Sequence, residues 1–194
     1  MKPIFVLFIF ALTILVMPSC AYKLRSGMDE LPDGVQRIQI PIFKNSSIEP
    51  GAEIYFTNSL KSEALRSRAA RLVNDEAAAE AVLQGTVSNI EVLADESLAD
   101  TTTGTYPYLP GGTVLALQYK VAVVIDLVLK KRGSNKILWS GNFKQTRSFP
   151  ASHITLPVIN TSNSLYNQSA KRQTLDALSK EMMQAAFDRM IEKF

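Results

Sequence analysis

From Tyr119 to Lys130 the chain alternates without interruption. Tyr119, Val121, Val123, Ile125, Leu127 and Leu129 stand on one side, and Lys120, Ala122, Val124, Asp126, Val128 and Lys130 on the other. Only a β-strand places successive side chains on opposite faces, and one wholly apolar face implies burial on that side. The second face is mixed: small apolar residues, interrupted by Asp126 and bounded by two lysines. Lys131-Arg132-Gly133-Ser134-Asn135 then supplies a hairpin turn, and Lys136 to Arg147 returns as the partner strand. There Ile137, Trp139, Gly141 and Phe143 alternate with Leu138, Ser140 and Asn142. Everything else in the chain must pack around this hairpin.

Two further strands and two helices are legible. Val35 to Phe43 alternates, with Ile38, Ile40 and Ile42 on one face, and Pro41 puts that strand near an edge or at its end. Asn45-Ser46-Ser47 and Pro50-Gly51 form a loop into a helix from about Ala52 to Ala69. Its Ala52, Phe56, Leu60 and Ala64 recur every four residues. An alanine-rich connector precedes a strand over Ala81 to Val92. The final helix, Leu165 to Phe194, carries Leu175, Leu178, Met182, Ala186, Met190 and Phe194 as a stripe. Residues 94–116 and 148–164 read as long polar loops at one end of the sheet, where recognition often resides. The order strand, helix, strand, strand, strand, helix predicts an α+β fold. Its form is a two-layer α/β sandwich, a four-stranded mostly antiparallel sheet with two helices packed on one face. Ala122, Val124 and Val128 make the other face partly apolar, which implies that something else covers it.

The N-terminus has a different character. Lys2 precedes a run from Ile4 to Val16 that is apolar except for Thr13, and Met17-Pro18-Ser19 leads into Cys20, the one cysteine among 194 residues. A positive start, a short apolar stretch and a small residue before the cut describe a secretory signal peptide over residues 1–19. The run falls short of the roughly 20 apolar residues of a spanning helix. Ser19-Cys20 resembles a bacterial lipobox, in which the thiol is acylated. A lone thiol exported to an oxidising compartment would otherwise be a liability. By bacterial sorting rules Ala21 favours the outer membrane, to which the lipid would anchor the protein from the periplasmic side. Residues 20–34 read as a lipidated tether, and 35–194 as one domain. The mature chain would number 175 residues with formal charge +2 in place of +3, too mild to imply a nucleic-acid partner.

Catalytic chemistry finds little footing. The single histidine, His153, sits in a proline-flanked loop without a surrounding motif, and no nucleophile elbow, zinc helix or phosphate loop is present. Asp95, Glu96 and Asp100 lack the pivot glycine of a calcium loop. The expectation is a non-enzyme without metal or cofactor. Binding remains. Lys130, Lys131, Arg132 and Lys136 place four cations around one hairpin, either as a solvated turn or as a site for headgroup phosphates. Lys171 and Arg172 form a second pair early in the last helix. Tyr106, Tyr108 and Leu109 are candidate partner anchors in the first long loop.

The linear arrangement has a familiar order. Cys20-Ala21-Tyr22-Lys23-Leu24-Arg25 resembles the mature start of the LPS-assembly lipoproteins, the LptE-like family. Leu31-Pro32, Pro41-Ile42-Phe43-Lys44-Asn45, Glu49-Pro50-Gly51, Ala81-Val82-Leu83-Gln84-Gly85, Tyr119 to Leu129 and Ile137-Leu138-Trp139 continue the pattern. The resemblance implies an accessory subunit seated in the lumen of an LptD-like outer-membrane β-barrel. Such a subunit aids assembly of the barrel and insertion of lipopolysaccharide into the outer leaflet. Basic lipopolysaccharide contacts would then be expected at the long-loop end, yet residues 94–116 contain no lysine or arginine. The alternative is a lipoprotein scaffold or regulator of another envelope machine, without glycolipid binding. A weaker third option, an envelope enzyme, would need His153 or the acidic loop.

Overall fold

The computed structural model describes residues 30–99, 114–134, 136–151 and 164–192. Along the chain these form β1 (Arg37–Gln39), β2 (Lys44–Asn45), α1 (Ala52–Ser67), β3 (Arg71–Leu72), β4 (Ala81–Ala99), β5 (Val114–Lys131), β6 (Ile137–Pro150) and α2 (Ser164–Ile191). One sheet runs β3-β1-β4-β5-β6, with β2 also paired to β4. The three long strands are antiparallel neighbours. The three short ones pair in parallel: β1 with β3 and β4, and β2 with β4. The α+β class and the mostly antiparallel sheet agree with the sequence, but the sheet has six strands where four were expected.

The two extra strands have separate causes. Pro41 has no N–H to give a ladder, so the strand expected over Val35 to Phe43 ends at Gln39 as β1, and pairing resumes only at Lys44–Asn45 as β2. The break also shifts the alternation. Ile38 and Ile40 are buried, but Ile42 is 69% exposed and Phe43 takes the inward place. β3, two residues long, is too short for any periodicity to announce it. β4 and β5 also outrun their expected ends, pairing from Ala81↔Lys131 to Ala99↔Val114. A ladder is held by backbone groups, so residues 94–99 extend it although half of them are polar, and register shifts at Ser88, at Asp95 and between Glu96 and Ser97 absorb the irregularity.

The core lies between one sheet face and both helices. Ala52, Phe56, Leu60 and Ala64 of α1 are all fully buried. On α2, Leu175, Leu178, Met182, Ala186 and Met190 are buried as the spacing requires, and Met183, Phe187 and Ile191 widen the stripe. They pack in one cluster with Val121 to Leu129 of β5, Leu83, Val87 and Ile90 of β4, and Phe143 of β6. The helices meet at two buried serines, Ser59 and Ser179, whose hydroxyls lie 2.8 Å apart. Ser179 also donates to the Asp176 carbonyl at 2.8 Å. Ser179→Leu would drive a branched side chain into this crossing and is expected to cost about 1–3 kcal/mol, read as a lowered urea midpoint.

Candidate interaction surfaces

Residues directly opposite in neighbouring strands share a sheet face, so the pairing defines the side away from the helices. Its central row is Thr86–Asp126–Asn142, followed on one side by Gln84–Val128–Ser140 and on the other by Asn89–Val124–Lys144. Ala122, Val124 and Val128 are half-buried. Leu93 and Ile137, toward the two ends of the face, are 58% and 57% exposed.

Asp126 is tied across all three long strands. Asn142 Nδ2 donates to its Oδ1 at 2.7 Å, and the Ser88 hydroxyl donates to its Oδ2. Ser88 is the extra residue of the β4 bulge between Val87 and Asn89. The bond from Asn142, then that from Ser88, holds the Asp126 carboxyl below the usual carboxylate range. A carboxyl depressed on folding stabilises above its unfolded value, about 4, and that contribution is lost as pH falls through the folded value. Below pH 4 the urea midpoint of the native chain is therefore expected to fall more steeply than that of Asp126→Asn. Parallel slopes would refute this assignment.

The β5–β6 turn occupies the end where the described chain begins. Gly133 has φ +82°, the left-handed conformation that glycine adopts without penalty. The turn gathers Lys130, Lys131, Arg132 and Lys136, as the sequence implied, but two of them are engaged by the body of the protein. Lys131 Nζ lies 2.7 Å from Asp33 Oδ2, and the Arg132 guanidinium donates to the Ala77 carbonyl. The Lys131 bond and charge hold the Asp33 carboxyl low. Glu80 beside them accepts from the Gln36 amide at 2.8 Å and pairs with Arg37 at 3.0 Å. Lys130 and Lys136 make no ion pair among the described residues.

A cleft of about 320 Å³ adjoins this end, lined by Glu30 to Gly34, Trp139 and Arg189 to Glu192. Arg189 lies 5.5 Å from the Phe143 ring centre, and Trp139 packs on Phe143 at 6.1 Å. Lys171 and Arg172 are elsewhere, some 18 residues before Arg189 on the same helix, or about 27 Å. Lys171 pairs with Glu49 at 2.8 Å, each roughly a quarter exposed. The six cations therefore do not form one site. Asp95 is spent on an ion pair with Lys120 and a 3.1 Å bond from Ser148. Among the described residues no three His, Cys, Asp or Glu side chains gather as metal ligands, and no helix is long and apolar enough to cross a membrane. Cys20, Tyr106, Tyr108, Leu109, Asp100 and His153 lie outside the described residues.

The family model for lipopolysaccharide assembly, LptE, matches residues 35–194. This chain belongs to the LptE family. No curated protein matches it. Among solved structures it is similar to lipoprotein B of Nitrosomonas europaea, at 18% identity over 88% of this chain and 87% of that one, with a TM-score of 0.46. A PelC dodecamer subunit from Paraburkholderia phytofirmans is 13% identical over 84% and 93%, at 0.46. A homologue of the neuraminyllactose-binding haemagglutinin from Helicobacter pylori is 14% identical over 84% and 89%, at 0.47. The assignment of this LptE-family chain rests on the family model, not on these distant likenesses.

Strand register located what the sequence left unmarked. Asp126 read only as a charge within a strand. Its partners Ser88 and Asn142, 38 and 16 residues away, become visible once β4, β5 and β6 are aligned.

Proposed function

We propose that this LptE-family chain is the lipid-anchored accessory subunit of an outer-membrane β-barrel machine that inserts lipopolysaccharide into the outer leaflet, and that it works by contact without catalysis. The observation that carries this is the family match across residues 35–194. In this reading residues 1–19 are removed, Cys20 is acylated, and residues 20–34 link the anchor to the domain at the periplasmic side. The sheet face that the helices leave open among the described residues supports a protein partner. Lys130 and Lys136, free of ion pairs among the described residues, are the stronger candidates for glycolipid phosphates. Lys131 and Lys171 are already paired with Asp33 and Glu49, and Arg132 is held by a carbonyl.

Affinity purification of the full-length protein from detergent-solubilised outer membranes tests the reading. A large β-barrel should co-purify, and depletion of the protein should lower surface lipopolysaccharide. Recovery without any barrel sinks the proposal. Cys20→Ala should remove the acyl groups and move the protein from the membrane fraction to the soluble one.

A further inference from the structure

We propose that Phe194 seats in the cleft beside Trp139 and fastens residues 30–34, the strap through which the tether enters the domain, to the end of α2. The seat itself stands without the lipid-anchor reading. Only the strap's part as the anchor's point of entry rests on that reading.

The last residues of the tether are packed into the domain. Leu31 and Val35 are buried in the core cluster. The Gly34 amide donates to the Leu31 carbonyl at 3.1 Å, and Asp33 pairs with Lys131. Yet the strap does not close fully on α2. The cleft of about 320 Å³ separates it from Trp139 and from the last turn of the helix. That is ample room for a phenyl ring, since a cavity of about 150 Å³ already takes benzene. Leu31, Pro32, Trp139, Met190 and Ile191 give the cleft an apolar lining. Of its charged groups, Asp33 is held by Lys131 and Arg189 lies over the Phe143 ring, and Glu30 and Glu192 complete the set.

The phase of α2 names the occupant. The helical ladder still holds at Glu192, whose amide donates to the Asp188 carbonyl at 3.0 Å. Lys193 and Phe194 follow, outside the described residues. Phe187, Met190 and Ile191 are buried, and Phe194 comes seven, four and three residues after them, the spacings of one helix face. One further turn therefore carries Phe194 along the buried stripe, while Lys193 falls on the solvent side. Helical side chains lean back toward the N-terminus, so the ring folds over Met190 and Ile191, into the cleft that those two residues line. An aromatic ring there gains apolar contact from the strap, the indole and the helix together.

Trp139 is the one tryptophan of the chain, so its emission reports on the cleft. In the purified full-length protein reconstituted in liposomes, Phe194→Ala is expected to shift that emission to the red and raise its quenching by acrylamide. The half-buried indole loses the ring that covers it. Phe194→Leu keeps an apolar side chain and should stay close to the wild type. Hydrogen exchange at the Gly34 amide should quicken several-fold in Phe194→Ala, because the strap loses its fastening. A benzophenone side chain in place of Phe194 should cross-link to residues 30–34 or to Trp139. Unchanged Trp139 quenching, or unchanged Gly34 exchange, in Phe194→Ala overturns the proposal. So does a benzophenone that cross-links only to other elements. A Met28→Ala variant that raises the quenching while Phe194→Ala does not also overturns it, and gives the cleft to the segment before the strap. A wild-type chain that does not bind liposomes overturns the lipid-anchor reading instead, and the same Trp139 comparison in solution then decides the seat.

Discussion

Phe56→Ala is expected to destabilise the protein by about 3–5 kcal/mol, the usual cost of emptying a buried aromatic site. Phe56 is fully buried on α1, between Ala52 and Leu60, which are equally buried. The small residues of that stripe bring the helix close to the sheet, and the phenyl ring fills the space between them. Its removal leaves a cavity lined on opposite sides by helix and strand, which ladder hydrogen bonds and the α2 packing prevent from collapsing. For a domain of this size that loss lowers Tm by about 6–20 °C. Thermal unfolding of the full chain, followed by circular dichroism, measures it. A shift of a degree or two would mean that α1 can slide to refill the site.

The second large effect concerns Gly85 and Phe43. Gly85 lies in β4 opposite Leu127, and a Cβ added there would run into the Phe43 ring. The ring, buried at 3% exposure, is placed there by the break after Pro41. Phe43→Ala alone is expected to cost about 3–5 kcal/mol. Gly85→Val alone should cost about 1–3 kcal/mol by overpacking. Combined, the valine fills part of the space the ring vacated, so the double variant should be more stable than the sum predicts, with a coupling of about 1–3 kcal/mol. Urea titrations of the four proteins give this number directly. Simple additivity would mean that Phe43 does not rest on Gly85.

These two sites differ in how visible they are in the sequence. Phe56 is legible from spacing, because a helix buries every third or fourth residue wherever its partner lies. Phe43 over Gly85 is not. It depends on a strand that stops at a proline and resumes one step out of phase, and period-two reasoning carried past that proline put Ile42 inside instead. The open sheet face was foreseeable, since two helices with one apolar stripe each cover only one side. Its chemical centre was not, because nothing near Asp126 in sequence names Ser88 or Asn142. The hairpin cations were legible as a cluster, but Asp33, 98 residues from Lys131, and the Ala77 carbonyl, 55 from Arg132, engage two of them.

The sequence by itself determined the two helices, the long β5–β6 hairpin, the inward faces of both and the order of the elements. Those features follow from the period of the side chains and the chemistry of turns, and both act over a few residues. Tertiary structure alone decided the short parallel strands, the Ser59–Ser179 crossing, the Asp126 tie and which cations stay free. Each joins groups from 16 to 122 residues apart, and their meeting depends on strand register and helix placement, which local periodicity leaves undetermined.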